Sequence, residues 1–346
     1  MAVVKANAYG HGARLTAPLL RSGVDWFGVD SLEEAEELSS VGVSEPILIM
    51  GHTEPVDAER VVSGGFRQVL FRRDVAEALS KAAQKRRRPA VVHLKIETGL
   101  NRLGVEPRDV ASLIEGLDGL AIEGVYTHLA DVEDPESTLY QRQVERLREA
   151  LANFKGSLLV HAFPTAGALL HPQESLGIAR VGVGLYGIWP SSLTRRAADS
   201  MASLSPVLAW KSRLAQVKTV PARGTVGYDV TYRASTERRI AVVPVGYADG
   251  FDRRLSNRGS VLVRGRRAHI VGRVAMNMFM VDVTDVDACE GDEIVLIGEQ
   301  GEERITAEEL AVSLGTIAYE VLARLSPRLP RRLTAETAPG RRKGGR

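Results

Sequence analysis

A single cysteine, Cys289, stands among 346 residues, so no disulfide can form within the chain. A reducing compartment, the cytosol by default, is the expected setting. An excess of either charge is also missing: 45 basic side chains are set against 43 acidic ones, a net charge of +2. Without a concentrated basic face, nucleic acid is not expected as the main partner. No apolar run comes near the roughly 18 residues that cross a bilayer, and Met1 to Lys5 lacks the charged-then-apolar order of a signal peptide. Neither a membrane partner nor export is expected, and no metal is expected. What the chain does have is length and apolar content. At 44% hydrophobic composition it can bury a sizeable core. At about 100–200 residues per domain it suggests two domains or one large α/β barrel.

Up to about residue 200, short β-branched or apolar runs recur every 20–45 residues or so, separated by stretches of helical period. The runs are Ala2–Val4, Trp26–Val29, Ile47–Met50, Gln68–Phe71, Val91–Ile96, Ile122–Tyr126, Leu158–Ala162 and Ala179–Val183. Between them, Ser31 and Glu34 have capping-box spacing at the start of one amphipathic helix, and Tyr140–Phe154 reads as another. Eight alternating β and α units predict an α/β fold, an eight-stranded (β/α)8 TIM-like barrel over residues 1–204, with chemistry in the loops at the C-terminal strand ends. From about residue 205 the pattern changes to successive strand-like runs with turn residues between them. The runs Leu208–Val220, Arg239–Pro244, Ser260–Val263, Ala268–Ala275, Phe279–Val283 and Glu293–Ile297, with one helix at Thr306–Leu314, predict a mainly-β C-terminal domain over 205–337. The Gly- and Arg-rich stretch 338–346 reads as a disordered basic tail, and Lys85–Arg88 as a solvated helix-end cluster.

Lys5 ends the first expected barrel strand and is followed by a loop with two glycines, a tyrosine and a histidine. An amine at the catalytic rim, partly desolvated, can act as a nucleophile toward a carbonyl cofactor. From spacing alone the plain alternative, a solvated lysine near the terminus, stays open. Other strand ends supply Lys95, Glu97, Arg102, His128, Thr165 and Arg180. Paired arginines in a barrel mouth suit phosphate, carboxylate or a ring nitrogen. Taken singly, Lys95 or Arg180 could be an internal ion-pair member and His128 a satisfied core histidine. The glycines after Arg180, around Gly182 and Val183, fall where barrels often build a phosphate site, although turns need glycine anyway. In the β-rich part, loops around Tyr228, Tyr247 and Met276-Asn277 read as turns, and a tyrosine there can carry protons only if cations such as Arg102 or a neighbour such as His128 assist it.

The run from Val4 to Gly12, V-K-A-N-A-Y-G-H-G, closely resembles the signature around the cofactor lysine of alanine racemases, two-domain fold type III pyridoxal phosphate enzymes. The resemblance continues in order through His93–Gly104, Tyr126–His128, Arg180–Gly187, Val226–Tyr232, Gly246–Gly250, Val271–Met276 and Ala318–Glu320. It implies that Lys5 holds pyridoxal 5'-phosphate covalently and serves as one of two bases in the interconversion of L- and D-alanine. Tyr228 resembles the other base, contributed by the second copy of a homodimer. Arg180 resembles the donor to the cofactor's ring nitrogen, with His128 between it and Tyr228. Tyr9, Thr165, Tyr319 and the backbone at Gly182 and Val183 resemble the phosphate site. Arg102 and the backbone N–H of Met276 resemble the substrate carboxylate donors. Lys95 matches a lysine often carbamylated in the family. Tyr247 and Tyr319 resemble the pair that narrows access and favours a methyl side chain. The implied role is supply of D-alanine for cell-wall peptide synthesis.

Several positions depart from that pattern: Asn277 for Asp, Pro164 for Asn, Glu97 for Asp and Ala318 for Asn. Asn277 and Pro164 bear on turnover and cofactor retention. Family members usually carry about 30 further residues ahead of the lysine, so the expectation is a misassigned start at Met1 or a fragment, with weakened dimerisation if the short form is real. The alternatives are a non-catalytic pyridoxal phosphate-binding homeostasis protein, a racemase of other amino acids, and a decarboxylase. The first lacks an equivalent of Tyr228, and the last would place an acid where Arg180 stands.

Overall fold

β1 (Ala2–Val3), β2 (Phe27–Val29), β3 (Ile47–Ile49), β4 (Arg67–Leu70), β5 (Ala90–Lys95), β6 (Leu120–Tyr126) and β7 (Leu159–His161) form one parallel sheet in sequence order in the computed structural model. The structure describes residues 1–334 apart from 135, 153, 155 and 175, so the expected tail over 338–346 lies outside the described residues. β2 and β3 are buried along their whole length, as strands covered on both faces must be, which explains their unbroken apolar character. The helices between strands bury one stripe each. In Leu32–Ser40 the stripe is Leu32, Ala35 and Leu38, and in Leu139–Leu151 it includes Tyr140, Val144, Leu147 and Ala150.

Among the described residues the sheet has seven strands, and the expected eighth run behaves differently. Residues Ala179–Val183 make isolated parallel bridges, Val181 to Ala2 and Arg180 to Pro164. Val3 N–H donates to Val181 O at 2.8 Å, and Arg180 N–H to Phe163 O at 3.0 Å. Gly182 then takes the chain out of extended geometry into the short 3-10 segment Val183–Tyr186, which leaves no length for a ladder.

The second half is strand-rich. Arg238–Val243 pairs antiparallel with both Gln216–Val220 and Phe279–Asp282. A further antiparallel group joins Arg266–His269, Ser260–Val263, Glu293–Gln300, Trp210–Arg213 and Glu303–Ile305. The run expected from Leu208 to Val220 is therefore two strands. It breaks where Leu214 N–H bonds Asp292 O and Ala215 N–H bonds Val242 O, so the chain passes from one sheet to the other. The expected run Ala268–Ala275 stops at His269, because Gly272 turns at φ 76°. Two helices stand here rather than one: Ala307–Leu314, capped by Thr306, and Ala318–Ala323. Among the described residues two large hydrophobic cores result, one drawn from Ala2 through Tyr186 and one largely from Trp210 through Leu325, with smaller clusters at Leu48, Val69 and Tyr126 and at Val226, Ile240 and Val271.

Candidate active site

A cavity of about 860 Å³ opens at the C-terminal ends of the parallel strands. Lys5, Tyr9, Lys95, Arg102, His128, Thr165, Arg180, Gly182, Val183 and Tyr319 all line it. The lysine does not sit on β1 itself; it opens a single helical turn whose backbone is left-handed. Ala6, Asn7, Ala8 and Tyr9 have φ of 51°, 53°, 54° and 52°. For residues with a Cβ this costs about 1–2 kcal/mol each, so the turn needs external support. Glu34 supplies some: its Oε1 accepts from Ala6 N–H at 2.6 Å and its Oε2 from Asp30 N–H at 2.8 Å. The capping-box reading is half right. Ser31 Oγ accepts from Glu34 N–H at 3.3 Å. The carboxylate, however, bridges the Lys5 and Asp30 loops instead of returning to Ser31. The Lys5 ammonium lies 3.4 Å from Asp30 Oδ1.

The same turn delivers Tyr9. A Cβ on Gly182 would lie 2.4 Å from the Tyr9 hydroxyl, so glycine is required for the tyrosine to reach that place. Gly182 N–H donates to Thr165 Oγ1 at 3.1 Å, which gathers two hydroxyls and a glycine backbone at one end of the cavity. Burial pushes Tyr9 up to about 12, so it remains a protonated donor.

Arg180 is buried among neutral partners. Its Nη1 donates to His161 Nδ1 at 2.8 Å, and its Nη2 faces Thr127 O, Ala162 O and His128 Nδ1 at 2.9, 2.8 and 3.0 Å. Its guanidinium carbon lies 5.1 Å from the centre of the Tyr126 ring. Burial lowers it to about 10, which leaves it charged at neutral pH. Because a guanidinium only donates, both imidazoles must present a bare Nδ1 and carry their proton on Nε2. His161 Nε2 then meets His93 Nδ1 at 2.8 Å, and His93 Nε2 meets Glu123 Oε2 at 3.2 Å. Glu123 also accepts from Arg67 Nε at 3.1 Å. Burial works against its charge, but the bonds from His93 and Arg67 prevail and its pKa is lowered.

Two local features build that chain. The register between β5 and β6 shifts by one residue at Val92/His93, a bulge that makes Glu123 the extra residue. Gly124 leaves the space for the His93 ring, since a Cβ there would lie 2.6 Å from His93 Nδ1. Burial, with Arg180 and Arg102 nearby, pushes His128 down to about 2, so it is neutral. Lys95 is buried with no ion-pair partner among the described residues. Burial, then Arg102 and Arg180, lower it to about 8.

Tyr228, Tyr247, Met276 and Asn277 do not line this cavity. They are exposed; Tyr228 keeps 71% of its surface free and Met276 55%. They are nonetheless close in the strand-rich half, where Ala248 N–H bonds Met276 O at 2.9 Å and the Gly227 backbone packs against Gly272 and Arg273. Sequence reasoning also missed Asp30, Tyr126, His161, His93 and Glu123. Asp30 directly follows β2 and Tyr126 ends β6, so strand ends alone could have marked them. Glu123 gave no such signal, because its inward turn depends on the bulge.

Two family models match the chain: "Alanine racemase, N-terminal domain" over residues 1–190 and "Alanine racemase, C-terminal domain" over 207–333. The alanine racemase of Symbiobacterium thermophilum is 42% identical over 98% of this chain and 91% of its own length. The crystal structure of alanine racemase from Bacillus anthracis with bound L-Ala-P superposes with a TM-score of 0.89 at 33% identity, covering 94% of this chain and 85% of that one. Alanine racemase from Bartonella henselae with covalently bound pyridoxal phosphate gives a TM-score of 0.83 at 28% identity, covering 94% and 90%.

Proposed function

This chain belongs to the alanine racemase family, and on that premise we propose that Lys5 and Tyr228 are its two bases, acting from opposite faces of the substrate. It is an isomerase that interconverts L- and D-alanine with pyridoxal phosphate as cofactor. We read Ala179–Val183 as the eighth stave of a TIM-like barrel, because it bridges both β1 and the segment after β7. In this reading the barrel covers 1–204 and the β-rich domain runs from 205, the last three residues of the expected 205–337 lying outside the described residues. The single cysteine suits the cytosol, and the product is D-alanine for cell-wall peptide.

The cavity suits the cofactor on its own geometry. Gly182 leaves open a pocket end faced by the Tyr9 and Thr165 hydroxyls, where the backbone at Gly182 and Val183 and the Tyr319 hydroxyl would hold a phosphate. Arg180 Nε has no protein partner among the described residues and would donate to the ring nitrogen. When bound, pyridoxal phosphate draws electrons from the substrate's Cα–H bond and makes that proton removable. Arginine keeps its own proton, so the ring nitrogen stays an acceptor, which disfavours side reactions that need a strong electron sink.

The substrate-facing residues follow. Arg102, with Met276 N–H from a second copy, would bind the alanine carboxylate. His128, neutral with its proton on Nε2, would donate to the Tyr228 oxygen and help a phenol lose its proton near neutrality. Tyr319, with the second copy's Tyr247, would narrow the access to a methyl side chain, and that copy's Asn277 would stand beside Met276. The observation that carries the dimer is the cluster of Tyr228, Val230, Tyr247, Met276 and Met278, large apolar side chains that stay exposed among the described residues.

Chiral analysis in deuterium oxide tests this reading. The protein should convert either enantiomer of alanine while placing deuterium at Cα, and Lys5→Ala should abolish both. Tyr228→Phe should cut interconversion sharply yet still exchange the Cα proton of one enantiomer through Lys5. Equal loss of exchange from both enantiomers in Tyr228→Phe would reject one base per face.

A further inference from the structure

We propose that Arg331 is a positioning residue for the Lys5 amine, holding the left-handed turn Ala6–Tyr9 in place from the C-terminal half of the chain. This rests on the reading of Lys5 given above and adds what keeps that lysine where it is. Ala6, Asn7, Ala8 and Tyr9 all have φ between 51° and 54°. Three of the four carry side chains with no special tolerance for this region, and left alone they would return to right-handed or extended backbone. A turn of this kind persists only where neighbours over-determine it.

Two of those neighbours belong to the barrel: Glu34, which accepts from Ala6 N–H, and Ala13 N–H, which donates to Asn7 Oδ1 at 2.9 Å. The third is 321 residues away from the turn's end. Arg331 Nε and Nη2 both donate to Gly10 O, at 3.0 and 2.7 Å. Its Nη1 donates to Ser326 O at 2.7 Å and Leu329 O at 2.8 Å, and Nη2 reaches Leu325 O at 3.2 Å. One planar guanidinium thus ties the exit of the turn to the segment that follows helix Ala318–Ala323. Lysine, with a single ammonium, cannot span both sets of carbonyls in this way.

The same helix presses on Gly10 directly. Gly10 has φ 82°, and a Cβ there would lie 1.9 Å from Leu322 O. Because this helix also carries Tyr319, the clamp joins both sides of the cavity: Lys5 and Tyr9 on the turn, Tyr319 on the helix. With the turn's exit fixed, the Tyr9 ring stays against Gly182 and the Lys5 stem keeps its direction.

Strain makes the proposal testable, because glycine adopts positive φ freely and Ala6 is exposed. The holoenzyme is compared as wild type, Arg331→Met, Arg331→Lys, Ala6→Gly and Ala6→Gly/Arg331→Met. Amide hydrogen exchange over residues 6–12, the rate of cofactor release on dilution, kcat, KM for alanine and Tm are recorded for each. Arg331→Met should speed exchange at 6–12 and cofactor release by about tenfold, the factor set by one unsupported left-handed residue. It should lower kcat while KM moves less than twofold or so. Arg331→Lys should fall between it and wild type. Adding Ala6→Gly should recover most of the cofactor retention and kcat, while Ala6→Gly alone should differ little from wild type.

A bracing role confined to the C-terminal segment would lower Tm in both Arg331 variants, leave exchange at 6–12 unchanged and show no rescue by Ala6→Gly; that result overturns the proposal. Borohydride reduction of the wild type with peptide mapping separates the underlying reading. Cofactor mass on a residue other than Lys5 rejects the lysine assignment, whereas the exchange rates decide separately whether Arg331 holds the turn.

Discussion

His161 Nδ1 lies 2.8 Å from Arg180 Nη1 and can only accept there, so a single arginine dictates where the imidazole keeps its proton. The constraint passes through His93 to Glu123, whose carboxylate can only accept. Four side chains therefore hold one arrangement of protons beneath the cofactor site.

Glu123→Gln should weaken that arrangement, because a neutral carboxamide oxygen replaces the charged acceptor of the His93 N–H. Nitrogen-15 spectra of the imidazoles should show His93 and His161 protonated on Nε2 in both proteins, because Arg180 still donates to His161 Nδ1, with the His93 Nε2–H signal shifted in the variant. A fall in kcat of roughly tenfold is expected, the share of a charge-assisted hydrogen bond felt at Arg180, with KM little changed. An unshifted His93 signal with unchanged kcat would show that the chain does not need its carboxylate end.

Much of this protein was legible before its structure. Strand ends marked Lys5, Lys95, His128 and Arg180, because a parallel barrel directs chemistry to its C-terminal rim, and all four line the cavity. The family resemblance to alanine racemases was also legible from the ordered motifs. The left-handed turn was not, since only Asn7 of Ala-Asn-Ala-Tyr tolerates positive φ and the turn owes its shape to Glu34 and more distant groups. Glu123 escaped because alternation puts it on the wrong face, and only the bulge brings it to His93. The eighth run makes only isolated bridges, and its shortness was not legible because apolar character says nothing about how soon Gly182 ends the extended segment. Tyr228 could not be placed by one chain's geometry at all.

Gly124→Ala should be costly out of proportion to a methyl group. The new Cβ would meet His93 Nδ1 at 2.6 Å, backed by Leu159 O at 2.7 Å, so the imidazole must move off its partners. A loss of about 1–3 kcal/mol in denaturant unfolding is expected, from overpacking and an unsatisfied buried nitrogen. A wild-type midpoint would mean that the ring has room to yield.

Acid should destabilise the fold through its buried histidines. His161 is held well below its ordinary pKa, first by burial and then by Arg180, and His128 similarly, to about 2. The unfolded chain takes up these protons near pH 6.5 while the native state does not, so their stabilisation is complete above that pH and declines below it. The slope is at most about 1.4 kcal/mol per pH unit for each histidine. Urea unfolding between pH 4 and 8 should show this decline, and His161→Asn should make it shallower by about one histidine's share. An unchanged slope in the variant would mean that His161 is already protonated in the native state.

Lys95 should bind carbon dioxide. Burial, Arg102 and Arg180 lower its pKa to about 8, so a large fraction of its amine is neutral and nucleophilic near that pH. A carbamate would replace a cation crowded by cations with an anion able to orient Arg102. Carbon-13 bicarbonate should give a carbamate resonance that grows as the pH rises through 8 and vanishes in Lys95→Gln. Stripping carbon dioxide should lower kcat reversibly. No resonance at pH 8–9 would exclude the modification.

The central claim is that each active site takes Lys5 from one copy and Tyr228 from the other, and mixing two inactive variants tests it most directly. Lys5→Ala and Tyr228→Phe protein, each nearly inactive alone, are unfolded together and refolded with cofactor. Half of the dimers should then be mixed, each with one intact site, and about a quarter of wild-type racemase activity should return. Activity no greater than the sum of the two parents, with mixed dimers verified by mass, would contradict the shared site.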